Sequence, residues 1–248
     1  MYKKYLGEEY DFSDGKYSLL ISNHIGFFEV VVQMSRWGAG FIAKSEVANY
    51  IFVGPIATGI NCLYIKRDNE KNRQIVFEQL EKRQREFYEG KYLPPLALFP
   101  EGTTTCGRHI LKFKKGAFYA LLPVKPSIIN VYQESDYHLS VGGNSVVASY
   151  LRNFTHSVEC FYVIDMPVIR PTEYMYKNYS HFGKEKWEIF AEVTRKIMCE
   201  IGGFKESNMG YRDEARYAKA VFKGICLPEE EESEERNNES VGSKVKGE

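Results

Sequence analysis

Along the chain, short apolar runs alternate with longer stretches in which apolar residues recur every three or four positions. Residues 17–21, 40–44, 62–66 and 96–99 are too short for helices and are bounded by Gly, Pro, Asn or Ser, so they read as strands. Residues 28–37 read as a short helix, and Ser45 is the expected N-cap of a second helix running to about Val53. Asp68 or Asn69 caps a third, in which Val76, Leu80 and Phe87 share one face and the other face is Glu, Lys, Arg and Gln. Residues 114–122 have a helix-compatible composition. Residues 124–132 read as a further strand, with Pro126 near its start or at a sheet edge.

This alternation from residue 17 to residue 132 predicts an α/β fold, a mixed and mostly parallel sheet covered by helices. A polar connection over 134–145 leads to a β-like run over 158–169. A helix over 184–201 follows, with Phe190, Val193, Ile197 and Ile201 on one face; Gly202 and Gly203 end it, and 212–222 predicts one more. The expectation is one domain over 1–226 with its motif core at 17–132, followed by a disordered acidic tail over 227–248.

Composition narrows the classes. With 44% hydrophobic and 27% charged residues, 248 residues suffice for one large α/β domain. Lys+Arg and Asp+Glu are equal at 33 each, which leaves no basic footprint for nucleic acid. Five widely spaced cysteines without a CxxC pair argue against a disulfide framework or a zinc site and suit a reducing compartment. Residues 1–14 are charged and hold no apolar signal-peptide core. Residues 50–65 are broken by Gly54, Pro55, Gly59 and Asn61, too short and interrupted to span a bilayer, so a soluble or membrane-peripheral chain is expected.

The chemistry gathers at two strand ends, where α/β proteins place their sites. One run empties into Pro100, Glu101, Gly102 and the hydroxyls of Thr103, Thr104 and Thr105, which suit a polyol or water. The other empties into Ser22, Asn23 and His24, with Glu29 five residues on. On a continuous helix those two would stand roughly 140° apart, so they meet only if His24 lies in the loop before the helix begins. A histidine oriented by a carboxylate can take a proton from a hydroxyl near neutral pH. No GxSxG elbow is present to supply a serine nucleophile, so the base would act on a substrate hydroxyl. Alone, such a pair more often marks a loop histidine in a structural hydrogen bond. The strand over 62–66 leads into Arg67, whose guanidinium suits a phosphate but is, alone, more often a solvated charge. Arg108, Lys112, Lys114 and Lys115 form a local basic cluster, balanced between an anion site and a solvated face.

In order and spacing these stretches resemble the glycerophospholipid acyltransferase family, the group like 1-acylglycerol-3-phosphate acyltransferase. The match lies in a His-(x)4-acid block from His24 to Glu29 and a glycine-to-arginine block from Gly59 to Arg67. A Phe-Pro-Glu-Gly-Thr block, Phe99 to Thr103, and a Val-x-Pro block, Val124 to Pro126, complete it. Residues 99–118 look most like the lysophosphatidylcholine and lysophosphatidylethanolamine acyltransferase branch. The resemblance implies a glycerophosphate-acyltransferase-like sheet and an acyl-CoA-dependent transfer to the free hydroxyl of a lysophospholipid. His24 and Glu29 are then the catalytic pair. Arg67, Glu101, Gly102, Thr103 and Pro126 are substrate-binding: Arg67, Glu101 and Gly102 at a phosphate, Pro126 on the acyl or thioester side. It implies no metal and no cofactor, acyl-CoA being a co-substrate. The implied partners are acyl-CoA, a lysophospholipid and a membrane surface, with no nucleic acid, at the endoplasmic reticulum membrane with the domain facing a reducing compartment. Lysophosphatidic acid or glycerol 3-phosphate is the alternative acceptor, and an impaired lipid-binding relative the alternative class.

Two departures stand out. The family acid is nearly always aspartate, and the extra methylene of Glu29 moves its carboxylate by about 1 Å, a misplacement that can cost about 10²-fold in rate. The membrane helix that this branch usually carries upstream is missing from the sequence, so the expectation is either a shortened version or docking through apolar surface around Phe27, Phe28 and residues 50–60.

Overall fold

The computed structural model describes residues 1–13, 15–26, 28–49, 51, 53–65, 70–105, 107–132, 160–213, 216, 217 and 220. A short helix, α1 (Tyr2–Leu6), precedes β1 (Leu19–Ser22), α2 (Phe28–Trp37), β2 (Gly40–Lys44), a 3-10 turn (Ser45–Asn49), α3 (Val53–Gly59) and β3 (Leu63–Ile65). Next come α4 (Glu70–Tyr88), β4 (Leu96–Leu98), β5 (His109–Ile110), β6 (Val124–Tyr132) and β7 (Cys160–Asp165). The described part closes with α5 (Glu173–Asn178), α6 (Lys186–Gly202), β8 (Lys205–Glu206) and helical residues up to Ala220.

Six strands make one sheet in the order β3-β2-β4-β1-β6-β7, parallel throughout except for the antiparallel β6–β7 pair. This is the mixed, mostly parallel, helix-covered sheet that the strand–helix alternation predicts. The centre is β1, in which Leu19, Leu20, Ile21 and Ser22 are all fully buried, as a strand covered on both faces must be. Its side chains alternate between two cores. Leu19 and Ile21 join Val124, Ile128, Phe190 and Val193, while Leu20 packs with Ala39 and Ala97. The larger core is built on α6, whose apolar stripe of Ile189, Phe190, Val193 and Ile197 faces the sheet. Fully burying one such side chain contributes about 1.5–3 kcal/mol. Glu185 and Glu188 form a capping box at the start of α6, and Gly203 closes it in the left-handed region at φ 68°.

Three local expectations change. Ser45 opens a 3-10 turn that ends at Asn49, and the α-helix begins only at Val53. Pro55 is the third residue of α3, in the first turn, where a missing N–H breaks no helical bond. Residues 114–122 form only the 3-10 turn Lys115–Ala117. Gly116 at its centre disfavours a helix, and Leu121, at φ 52°, stands in the left-handed region that a continuing helix cannot use. Pro126 is near the start of its strand, yet β6 is interior, between β1 and β7. It sits opposite an interruption of the β7 ladder, which runs from Ser127↔Asp165 and resumes only as the bridge Val124↔Ile169. Its missing N–H therefore leaves no ladder bond broken. The expected acidic tail, 227–248, lies outside the described residues, as do the whole connection over 134–145 and much of the helix over 212–222.

Candidate active site

Because β1 and β4 are parallel neighbours, with Leu19 beside Leu96 and Ile21 beside Leu98, the loops that follow them leave the same edge of the sheet side by side. Backbone bonds then join the two loops. The Thr105 N–H donates to His24 O at 2.8 Å, and the His24 N–H donates to the Glu101 carboxylate at 3.1 Å. The two strand ends singled out by their residue types are thus one site.

His24 lies in the loop before α2, the placement that lets it meet Glu29. Its Nδ1 is 3.4 Å from Glu29 Oε1, at the long end of hydrogen-bond geometry. Its ring stacks on Phe99 with centroids 3.9 Å apart and planes 13° from parallel. The His24 side chain is 20% exposed and that of Glu29 only 2%, so the histidine faces the site and the glutamate backs it. Glu29 Oε1 also accepts the N–H groups of Ile25 and Gly26, the latter at 2.7 Å. The longer side chain is thus accommodated by a loop that wraps back over its carboxylate. Burial pushes that carboxyl up, but the hydrogen bond and charge of His24 and the loop amide outweigh it, and the net shift is below the usual carboxylate value.

Two further polar side chains set the histidine loop. Asn23 donates to Ile129 O and accepts from the Ile129 N–H, both at 2.9 Å. Its side chain makes the two bonds that a strand residue would make to β6, and so continues the pairing of β1 past Ser22. Gln33, one turn beyond Glu29 on α2, donates to Ser22 Oγ. The buried face of α2 beside the site is therefore polar, with Glu29 and Gln33 both inside. A buried polar pair at helical spacing is a signal that composition alone does not raise.

The remaining expected residues separate. Glu101 is fully buried: Oε1 accepts the His24 N–H, and Oε2 accepts the Leu111 N–H at 3.0 Å. These two bonds make it a clamp between the histidine loop and the chain after β5. Pro126 is buried inside the sheet opposite Ile21 and does not line the cavity described below, because its strand partners enclose it. Arg67 lies outside the described residues. Gly102 and Thr103 do reach the cavity. Gly102 stands at φ 74°, and a Cβ there would come within 2.5 Å of Lys114 Cε and 2.8 Å of its Cδ, so only glycine lets the Lys114 side chain cross.

Those residues open onto a cavity of about 920 Å³. Its lining is apolar at Val30 and Met34 of α2, Ile56 and Ile60 of α3 and its turn, and Val76, Phe77 and Leu80 of α4. It is polar at His24, Thr103, Lys114 and Lys115. The basic cluster thus divides, Lys114 and Lys115 lining the cavity and Arg108 and Lys112 standing exposed outside its lining. Tyr211 also lines it, its ring centroid 3.4 Å from Lys114 Nζ. Residue types alone single out neither Phe99 as the stacking partner nor Tyr211; Asn23 reads there only as loop punctuation.

Several known proteins are similar to this chain. The lysophospholipid acyltransferase LPEAT1 of Arabidopsis thaliana is 31% identical over 199 residues, 80% of this chain and 48% of that protein. The lysophosphatidylcholine acyltransferase of Drosophila melanogaster is 23% identical over 225 residues, 90% of this chain and 40% of its own. Among solved structures, the 1-acyl-sn-glycerophosphate acyltransferase PlsC of Thermotoga maritima is 18% identical with a TM-score of 0.47, covering 79% of this chain and 70% of that one. The chain spans about half or less of the length of these curated relatives. The family model described as Acyltransferase matches residues 7–134, more than half of the chain, and the chain therefore belongs to the acyltransferase family.

Proposed function

We propose that this chain transfers a fatty acyl group from acyl-CoA to the free hydroxyl of a lysophospholipid. The observation that carries the reading is His24, held between Glu29 and Phe99 in the lining of a cavity that is otherwise largely apolar. With Nδ1 on Glu29, Nε2 is the nitrogen that accepts the acceptor's hydroxyl proton. The hydroxyl oxygen attacks the thioester carbonyl, the carbon–sulfur bond breaks, and the imidazolium returns its proton to the leaving CoA thiolate. Glu29 holds the ring and stabilises the imidazolium as it forms. No covalent acyl-enzyme is needed, because holding base, alcohol and thioester together supplies much of the barrier reduction. The apolar lining suits an acyl chain, and Lys114 and Lys115 suit a phosphate. The names of the relatives support a lysophospholipid as the acceptor.

A membrane surface, that of the endoplasmic reticulum, belongs to the same reading. Val31 and Ile56 line the cavity and are also exposed, and Ile51 beside them is 83% exposed. This is the described part of the apolar surface expected around residues 50–60, and it suits entry of a lipid chain from a bilayer. No helix among the described residues is long and apolar enough to cross a membrane.

The test is purified protein with labelled oleoyl-CoA and lysophosphatidylethanolamine, lysophosphatidylcholine, lysophosphatidic acid and glycerol 3-phosphate. Diacyl product with either of the first two, lost in His24→Ala, is the expected result. Activity that survives His24→Ala ends the mechanism, and a preference for either of the last two moves the acceptor. Protein inert with every acceptor but floating with liposomes supports a lipid-binding relative instead; protein that does not float contradicts the membrane surface.

A further inference from the structure

The segment behind β8 lies beyond the stretch that matches the family model, yet it reaches the site. Its path is fixed by backbone pairing. β8 runs parallel to β5, with His109 beside Lys205 and Ile110 beside Glu206. The Ser207 N–H then donates to Ile110 O, and the Lys112 N–H donates to Met209 O, each at 3.1 Å. The buried Arg195 of α6 pins this ladder from beneath, donating to Ile110 O and Ser207 O at 3.2 Å each. Tyr211 is thereby delivered against Lys114, two residues past the last paired position.

Lys114 crosses Gly102 and places its Nζ 3.4 Å from the centroid of the Tyr211 ring. A lysine ammonium on a flexible four-carbon stem has many places to go. An aromatic face attracts the cation through its quadrupole and localises it without adding a negative charge. With Thr103 and His24 lining the same cavity, the ammonium stands where a phosphate beside the reacting hydroxyl or thioester would lie.

We propose that Tyr211 is a positioning residue that holds Lys114 over Gly102 as the cation of a phosphate subsite, so that residues 205–213 complete the substrate site. This rests on the transfer reading above for its function. The phosphate is either that of the lysophospholipid or one of those on acyl-CoA, and separate measurements of the two Michaelis constants distinguish them.

The experiment compares Tyr211→Leu, Tyr211→Phe, Lys114→Met and the Leu/Met double variant, varying lysophospholipid and oleoyl-CoA in turn. Tyr211→Leu is expected to raise one KM by about 5- to 10-fold with kcat nearly unchanged, the size of one lost cation–π contact. Whichever KM moves names the source of the phosphate. Tyr211→Phe keeps the ring and restores that KM, and Tyr211→Leu adds nothing once Lys114 is Met. The proposal is overturned if neither KM moves, if kcat alone falls, if Phe is as poor as Leu, or if the two substitutions add. Tyr211→Gln replaces Leu should the latter not fold. Should wild type transfer to no acceptor, the transfer reading fails by itself, and calorimetric titrations with oleoyl-CoA and with lysophospholipid still test the subsite. Weaker binding of either one by Leu than by Phe or wild type then upholds it; equal or absent binding of both overturns it.

Discussion

Two buried glutamates hold the same histidine in different ways. Glu29 gathers its contacts on one oxygen, which takes the loop amides of Ile25 and Gly26 and the ring of His24. Glu101 divides its contacts, one oxygen for the His24 N–H and the other for the Leu111 N–H. The first bonds a ring that takes up a proton in the proposed transfer; the two bonds of the second go to backbone. Glu29 can therefore change with the proton on His24, whereas Glu101 ties the loop after β1 to the chain after β5. The difference teaches that a carboxylate in a recognisable block is not thereby a group that meets substrate; its partners decide.

The largest expected effect is on the residue both glutamates serve. His24→Ala should lower the transfer rate by about 10²- to 10⁴-fold, the range a positioned general base contributes. Four-fifths of the side chain is buried and its ring stacks on Phe99, so the unfolding midpoint in urea should fall as well, and the rate is compared under conditions where both proteins are folded. If Glu29 acts through the ring alone, Glu29→Gln made in the His24→Ala background should add nothing to the loss of rate. A further fall would give Glu29 a role apart from His24.

Glu101→Ala should come next, and on stability rather than on rate alone. It strips two buried N–H groups of their acceptor, at about 1–3 kcal/mol for each donor left unsatisfied. Urea denaturation should show a lower midpoint with an unchanged slope. A variant of unaltered stability whose acceptor KM rises would instead put Glu101 in contact with substrate.

How much of this is legible without coordinates depends on the partner that each residue uses. The boundaries of α2 and β2 follow from local patterning, and the meeting of His24 with Glu29 follows from loop punctuation at Asn23 and Gly26. The burial of Glu101 does not, since its partners at His24 and Leu111 are backbone groups, 77 and 10 residues away, that carry no signature in residue type. Tyr211 depends on a two-residue ladder between β5 and β8, too short to leave any alternation. Pro126 belongs to a recognisable block, yet strand pairing encloses it, and the start of α3 is displaced because a proline in the first turn reads as a breaker. Arg67, beyond the described residues, keeps only its reading from the chain.

Glu29→Asp sharpens the comparison at smaller scale. The shorter carboxylate cannot reach both the loop amides and the ring without moving α2, and the rate should fall by up to about 10²-fold. Lysophospholipid acylation by the purified variant measures it. A rise would mean that the wrapped loop is a handicap rather than an adaptation.

The smallest effect separates the two glutamates by their protons. The His24 bond and charge and the loop amide outweigh burial at Glu29, so its folded carboxyl lies below the ordinary value of 4.5. A group depressed on folding adds stability above its unfolded value and loses it as the pH falls through the folded one. Glu29→Gln keeps the shape and removes the titration. The gap in unfolding free energy between wild type and this variant should therefore be constant at neutral pH and begin to close below about 4.5. The other carboxyls titrate in both proteins and drop out of the difference, so denaturant unfolding at a series of acid pH values isolates this one group. A gap that stays the same down the series would assign the loss to packing of the Gln amide against the Ile25 and Gly26 N–H groups, and would make Glu29 a backbone clamp of the same kind as Glu101.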